Sequence, residues 1–259
     1  MIPTIAILGA LLSGLATAIG AIPIYFKKDF SKKFLDMGLG FSAGIMLVAA
    51  FVSLILPGLA SAKEVYSAHW ALPVSLTGLF LGYLFIIFIH DILPHQHLVK
   101  NEEAIDKINS RSGFTRMSLI VFAIALHNVP EGLAVGVGFG TGNTSIGLSI
   151  AIAIAIQNIP EGLVVALGFL SEGSTKNKAF AMALLSGLVE PLAALVGYLS
   201  SAYSKYSLPF AFEFSAGAML FVICQEILPE LFHDGHERNS TLGFITGIIT
   251  MLAINNYFL

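Results

Sequence analysis

The chain has 259 residues, of which 56% are hydrophobic and only 11% charged, with mean hydropathy +0.84. Soluble domains carry about 25% charged residues, so this composition excludes an ordinary soluble domain and points to a polytopic membrane protein. The net charge of -3 argues against a nucleic-acid partner, and the single cysteine, Cys224, excludes an intrachain disulfide.

A helix needs about 20 apolar residues to cross the hydrocarbon core. Eight such runs follow in order: 2–26, 35–57, 70–93, 116–139, 144–170, 178–203, 208–229 and 241–258. The expected fold is therefore an all-α membrane protein of eight transmembrane helices, with 1–259 forming one transmembrane domain. The first run opens at Met1 with no basic segment before it and reads as a retained span. The longest link, 94–115, is polar and reads as a cytoplasmic loop.

Lysine and arginine set the orientation. Lys27, Lys28, Lys32 and Lys33 fall in the first loop, Lys100, Lys107, Arg111 and Arg116 in or beside the third, Lys176 and Lys178 in the fifth, and Arg238 in the seventh. The even loops hold only Lys63 and Lys205. Loops one, three, five and seven are thus expected in the cytoplasm, both termini outside, in a multi-pass protein of the cell membrane.

Two internal repeats stand out. Phe41-Ser42-Ala43-Gly44-Ile45-Met46-Leu47 in the second run matches Phe214-Ser215-Ala216-Gly217-Ala218-Met219-Leu220 in the seventh, and each continues to an Ile-Leu-Pro. The second span runs outward and the seventh inward, so the repeat is inverted: spans one to three pair with six to eight around a central four–five pair. Inverted repeats belong to transporters, whose sites lie near the midplane at interrupted helices.

The second repeat carries the chemistry. His127-Asn128-Val129-Pro130-Glu131-Gly132 recurs as Gln157-Asn158-Ile159-Pro160-Glu161-Gly162. Residues one helical turn apart share a face, so His127 lies with Glu131 and Gln157 with Glu161. Each proline removes one helical hydrogen bond and favours a kink. Ionisable groups at this depth are costly in lipid and mark functional paths. A third deep acid, Glu190, precedes Pro191. Three acids, an imidazole and several neutral oxygens suit a borderline divalent cation, namely Zn2+, Cd2+, Fe2+ or Mn2+; an oxygen-only cage would suit calcium or magnesium better. Met46 offers a soft sulfur. The expected metal ligands are His127, Asn128, Glu131, Gln157, Asn158, Glu161, Glu190 and Met46. His90, Asp91, His95, His97, Gln225, Glu226 and Glu230 gather at the cytoplasmic ends as an exit path, whereas Glu213 and His69 would attract cations at the outer face. Packing alone, a membrane-embedded zinc hydrolase, and a channel or carrier for another cation are the rival readings of these features.

The paired motif, Glu190-Pro191 and the eight runs resemble the ZIP family of divalent-metal transporters, in particular its GufA/ZupT-like branch. The resemblance spans the chain. It implies no enzyme activity, no cofactor beyond the transported metal, and a binuclear-like site. His127, Glu131, Gln157 and Glu161, with Met46 nearby, would form one position; Asn128, Asn158 and Glu190 would form the other, with Glu131 and Glu161 bridging. It also implies movement of metal into the cytoplasm by a rocking, elevator-like motion, within the lipid bilayer and as a homodimer. Many relatives have His in place of Gln157, and some have Asp in place of Asn158.

Overall fold

The computed structural model describes residues 2–27, 29–92, 116–232 and 236–258, and it is helical along each of the eight predicted runs. We number the helices α1 to α8. α1 spans Thr4–Ala21 and closes in a 3-10 turn, Ile22–Tyr25. α2 covers Lys32–Val65, α3 Ala68–Ile92, α4 Arg116–Gly140 and α5 Thr144–Ser171. α6 covers Lys176–Ala202, α7 begins with Leu208–Val222, and α8 is Glu237–Phe258. Seven helices among the described residues are long and apolar enough to cross a membrane. The expected loop 94–115 lies outside the described residues.

Polar caps start the helices where the sequence supplies them. The side chains of Ser31, Asn143 and Thr175 accept backbone N–H bonds at the first turns of α2, α5 and α6. Proline interrupts selectively. α4 and α5 run through Pro130 and Pro160. α6 instead breaks at Leu188 into Lys176–Gly187 and Val189–Ala202. Pro191 has no N–H for the carbonyl of Gly187, which fits a break at that point.

α2 and α7 each contain a wide π turn, Ala49–Ile55 and Ile223–Ile227, immediately before Leu56-Pro57 and Leu228-Pro229. The second run was expected to end at Pro57, but α2 continues to Val65. Pro57 occupies the first turn of the segment that follows the π turn, where its missing N–H is tolerated.

The helices pack as two groups of four. α1 lies tightest against α5 and α4 against α6; α2 lies tightest against α8 and α3 against α7. The groups meet chiefly where α2 touches α5 and α4 touches α7. Within the groups, glycines bring backbones together. A Cβ on Gly44 would meet the Phe244 carbonyl oxygen at 2.1 Å, and one on Gly217 the Leu79 oxygen at 1.9 Å. Gly247 is set against Phe41 and Gly82 against Phe214 in the same way. In these contacts the α2 and α7 residues correspond under the shift that aligns the two Phe-Ser-Ala-Gly sequences, and their partners on α3 and α8 correspond under a second shift, Leu79 to Phe244 and Gly82 to Gly247. The shift that takes Phe41 to Phe214 also takes Gly14 to Gly187. These two face each other directly, each one's Cβ position lying 2.1–2.3 Å from the other's carbonyl oxygen.

The main apolar core runs from Ala6 and Ala10 on α1 through Met46, Ile154, Met219 and Val222, and a second, smaller cluster gathers Ala21, Ile24, Phe169 and Ala183. One buried polar knot interrupts the main core. Asn255 Oδ1 accepts the Ser53 hydroxyl at 3.1 Å and the Ser149 hydroxyl at 2.8 Å, joining α8, α2 and α5.

Candidate metal path

α4 and α5 place their motifs side by side near mid-length. Glu131, Gln157, Asn158 and Glu190 are fully buried, and Asn128 is 2% exposed. Gln157 Nε2 donates to Glu131 Oε1, tying the two motifs together. Asn158 Nδ2 donates to Glu190 Oε1 at 2.7 Å and to the Ser13 carbonyl at 2.9 Å. Asn128 Nδ2 donates to the Ser186 carbonyl at 2.7 Å. The Ser42 hydroxyl caps the Gln157 carbonyl at 2.7 Å.

These bonds consume the donors and leave acceptors over. Glu131 Oε2, Gln157 Oε1, Asn158 Oδ1, Glu161 Oε1 and Glu190 Oε2 are buried with no hydrogen-bond partner. Buried polar atoms are normally paired, and an unpaired one costs about 1–3 kcal/mol. Glu131, Glu161 and Glu190 lie near enough for each to feel another's charge, and His127 lies within electrostatic reach of Glu161. A pocket rich in unpaired oxygens and poor in donors is complementary to a cation. Among the described residues no three His, Cys, Asp or Glu side chains form a ready-made metal cluster. The unpaired amide oxygens of Gln157 and Asn158 stand beside the unpaired carboxylate oxygens as neutral acceptors.

The predicted residues fall into place unequally. Glu131, Gln157, Asn158, Glu161 and Glu190 carry the unpaired oxygens, His127 lies within electrostatic reach of Glu161, and Asn128 is tied to the Ser186 carbonyl. Met46 is 1% exposed and belongs to the apolar core, one helical turn beyond Ser42 on α2. Of the expected exit path, Glu226 comes closest to the pocket: its Oε2 lies 3.9 Å from His127 Nε2. Gln225 is exposed beside it, in the π turn of α7. His90 and Asp91 lie in the last turn of α3 and Glu230 in the last turn of α7; His95 and His97 lie outside the described residues. The His127 side chain is 26% exposed, whereas Ala50, Ala153 and Ile154 are buried.

The outer-face reading of Glu213 needs correction. Glu213 is 2% exposed, packed where Gly58 and Gly78 leave room, and does not line an outer mouth. His69 is exposed.

The sequence reading also passed over a third repeat. Ala10-Leu11-Leu12-Ser13-Gly14-Leu15 in α1 is identical to Ala183-Leu184-Leu185-Ser186-Gly187-Leu188 in α6. Both copies are apolar enough to pass for lipid-facing helix, yet their Ser13 and Ser186 carbonyls hold the two motif asparagines.

Multi-pass helices, paired motifs and buried unpaired oxygens on three acids and two amides fit a class of cation transporters. The profile of the ZIP Zinc transporter family matches residues 94–255. The chain is 37% identical to the zinc transporter GufA of Myxococcus xanthus, over 96% of this chain and 97% of that protein. It is 39% identical to the zinc transporter ZIPB of Bordetella bronchiseptica, over 96% and 80%. It is 34% identical to the zinc transporter ZupT of Chlorobium chlorochromatii, over 93% and 92%. The chain belongs to the ZIP family of zinc transporters, as a multi-pass membrane protein of its GufA/ZupT-like branch that carries metal and is not an enzyme.

Proposed function

We propose that this protein imports divalent transition metal, zinc foremost and Cd2+, Fe2+ and Mn2+ as further substrates, through the pocket between α4, α5 and α6. The observation that carries this reading is the set of buried, unpaired oxygens on Glu131, Gln157, Asn158, Glu161 and Glu190. In a protein of this family they serve as the ligands that replace the ion's water. His127, Glu131, Gln157 and Glu161 take one ion position, with Met46 as a reserve ligand from α2. Asn128, Asn158 and Glu190 take the other. Metal leaves past Glu226, Asp91 and the histidine-bearing loop, into the cytoplasm by the distribution of lysine and arginine. The recurring glycine contacts and the matched π turns support an inverted repeat of spans one to three in six to eight. The two helix groups are the bodies that move past each other. The protein works in the plasma membrane, as a homodimer by family resemblance.

The test is metal uptake by liposomes holding the purified protein, with Zn2+, Cd2+, Fe2+ and Mn2+ in turn. Glu131→Ala/Glu161→Ala is expected to abolish uptake of every metal that the wild type carries. Uptake at the wild-type rate in folded double variant would overturn the site.

A further inference from the structure

The shared Ala-Leu-Leu-Ser-Gly-Leu sequence aligns α1 with α6 residue by residue, and one position in that alignment is unmatched in chemistry. Ser13 aligns with Ser186, and each carbonyl holds a motif asparagine, Asn158 and Asn128 respectively. Each serine hydroxyl bonds back into its own helix, Ser13 to the Ala10 carbonyl at 3.0 Å and Ser186 to the Ala183 carbonyl at 2.8 Å. One turn further on, Thr17 aligns with Glu190. Their backbones play the same part: a Cβ on Gly162 would meet the Thr17 carbonyl oxygen at 1.9 Å, and one on Gly132 the Glu190 oxygen at 2.4 Å.

The side chains differ. Glu190 reaches toward α5 and receives the Asn158 amide. Thr17 is 2% exposed, and its Oγ1 has no hydrogen-bond partner. A threonine hydroxyl in a helix ordinarily bonds the carbonyl one turn back. Here that carbonyl belongs to Ser13 and already accepts the Asn158 amide at 2.9 Å. The hydroxyl is left over, on a side chain whose Cβ lies 3.0 Å from where a Cβ on Gly187 would stand, one residue after the carbonyl that holds Asn128.

Resting on the function proposed above, we infer that Thr17 is a positioning residue of the second ion position. It occupies on α1 the position that Glu190 occupies on α6, and it holds, through Oγ1, a water molecule in the shell of the transported ion. Asn128, Asn158, Glu190 and Thr17 are then an all-oxygen set carrying one formal charge. Such a set suits a divalent cation that keeps part of its hydration, and His127 and the bridging glutamates complete its dehydration.

The experiment uses full-length protein in liposomes with zinc as the probe. Thr17→Val removes the hydroxyl at nearly constant volume; Thr17→Ser keeps it. The expected result is an approximately fivefold higher KM for Thr17→Val, the scale of one lost hydrogen bond, and wild-type KM for Thr17→Ser. Adding Thr17→Val to Glu190→Gln should cost less than its effect alone, because both act on one ion position. Equal KM in Thr17→Val and wild type overturns the inference, as does a loss in Thr17→Val that Thr17→Ser shares or that adds fully to Glu190→Gln. Failure of the parent reading shows separately, as uptake that survives in Glu131→Ala/Glu161→Ala.

Discussion

The two halves of the polar site, α4 with α6 and α5 with α1, share their backbone design and differ in their side chains. In each half an asparagine amide is held by a serine carbonyl across the helix pair, and a glycine at the end of the motif admits the partner backbone. In one half the remaining groups are His127 and Glu190; in the other they are Gln157 and Thr17. The lesson is a division of labour. The duplicated backbone contacts build a pocket of fixed shape, and the side chains that diverged give it two unlike sides.

Single ligand changes test the difference most severely. Glu131→Ala and Glu161→Ala should each cut zinc uptake by more than the roughly 10–100-fold typical of losing an outer-shell partner of a metal site. If either variant transports normally, the halves are not a joint site. Next come the shared contacts. Gly132→Ala and Gly162→Ala each force a Cβ against a carbonyl oxygen at 2.4 and 1.9 Å. Each should lose about 1–3 kcal/mol, read as an earlier thermal unfolding in detergent. A loss at only one glycine would show that the halves are built differently after all. Gln157→His makes the ligand sets alike. It should tighten zinc binding severalfold in equilibrium titration, since imidazole is the stronger zinc ligand; unchanged affinity would remove Gln157 from the zinc position. The smallest effect is that of acid. Ligands must be deprotonated to hold metal, so uptake should fall as pH drops, and Gln157→His should steepen the fall by adding a second imidazole. A pH-independent rate would mean that metal binding is not what limits transport.

Much of this was legible in the sequence. Hydropathy located the helices because lipid demands long apolar runs, and the Pro-Glu-Gly motif was visible because polar residues stand out against them. The Ala-Leu-Leu-Ser-Gly-Leu repeat stayed hidden for the opposite reason: its contribution is made by backbone carbonyls, which have no letter of their own. Glu213 was misjudged because position along a helix does not reveal its facing. Only the room left by Gly58 and Gly78, from two other helices, allows that carboxylate inside. Likewise Pro57 read as a terminus because the π turn before it, Ala49–Ile55, has no plain sequence signature. Glu226 was read as part of an exit path at the cytoplasmic ends, and its Oε2 lies 3.9 Å from His127 Nε2, a nearness that no spacing in the sequence announces.

The glycine seams have a mechanical consequence. They run inside each group of four helices, where Gly20, Gly44, Gly136, Gly162, Gly217 and Gly247 set backbone on backbone at 1.9–2.1 Å from the Cβ position. Between the groups, among the described residues, the close glycine is Gly38, which meets only the ring of Pro160, at 3.1 Å. Interlocked backbones cannot shear without unpacking, whereas side chains can swap rotamers as they pass. The seams therefore weld helix pairs, α1 with α5, α4 with α6, α2 with α8 and α3 with α7, and they weld α1 to α6 through Gly14 and Gly187. Under the motion proposed above, side-chain size between the groups is what would set the speed of sliding, with the welds left as they are.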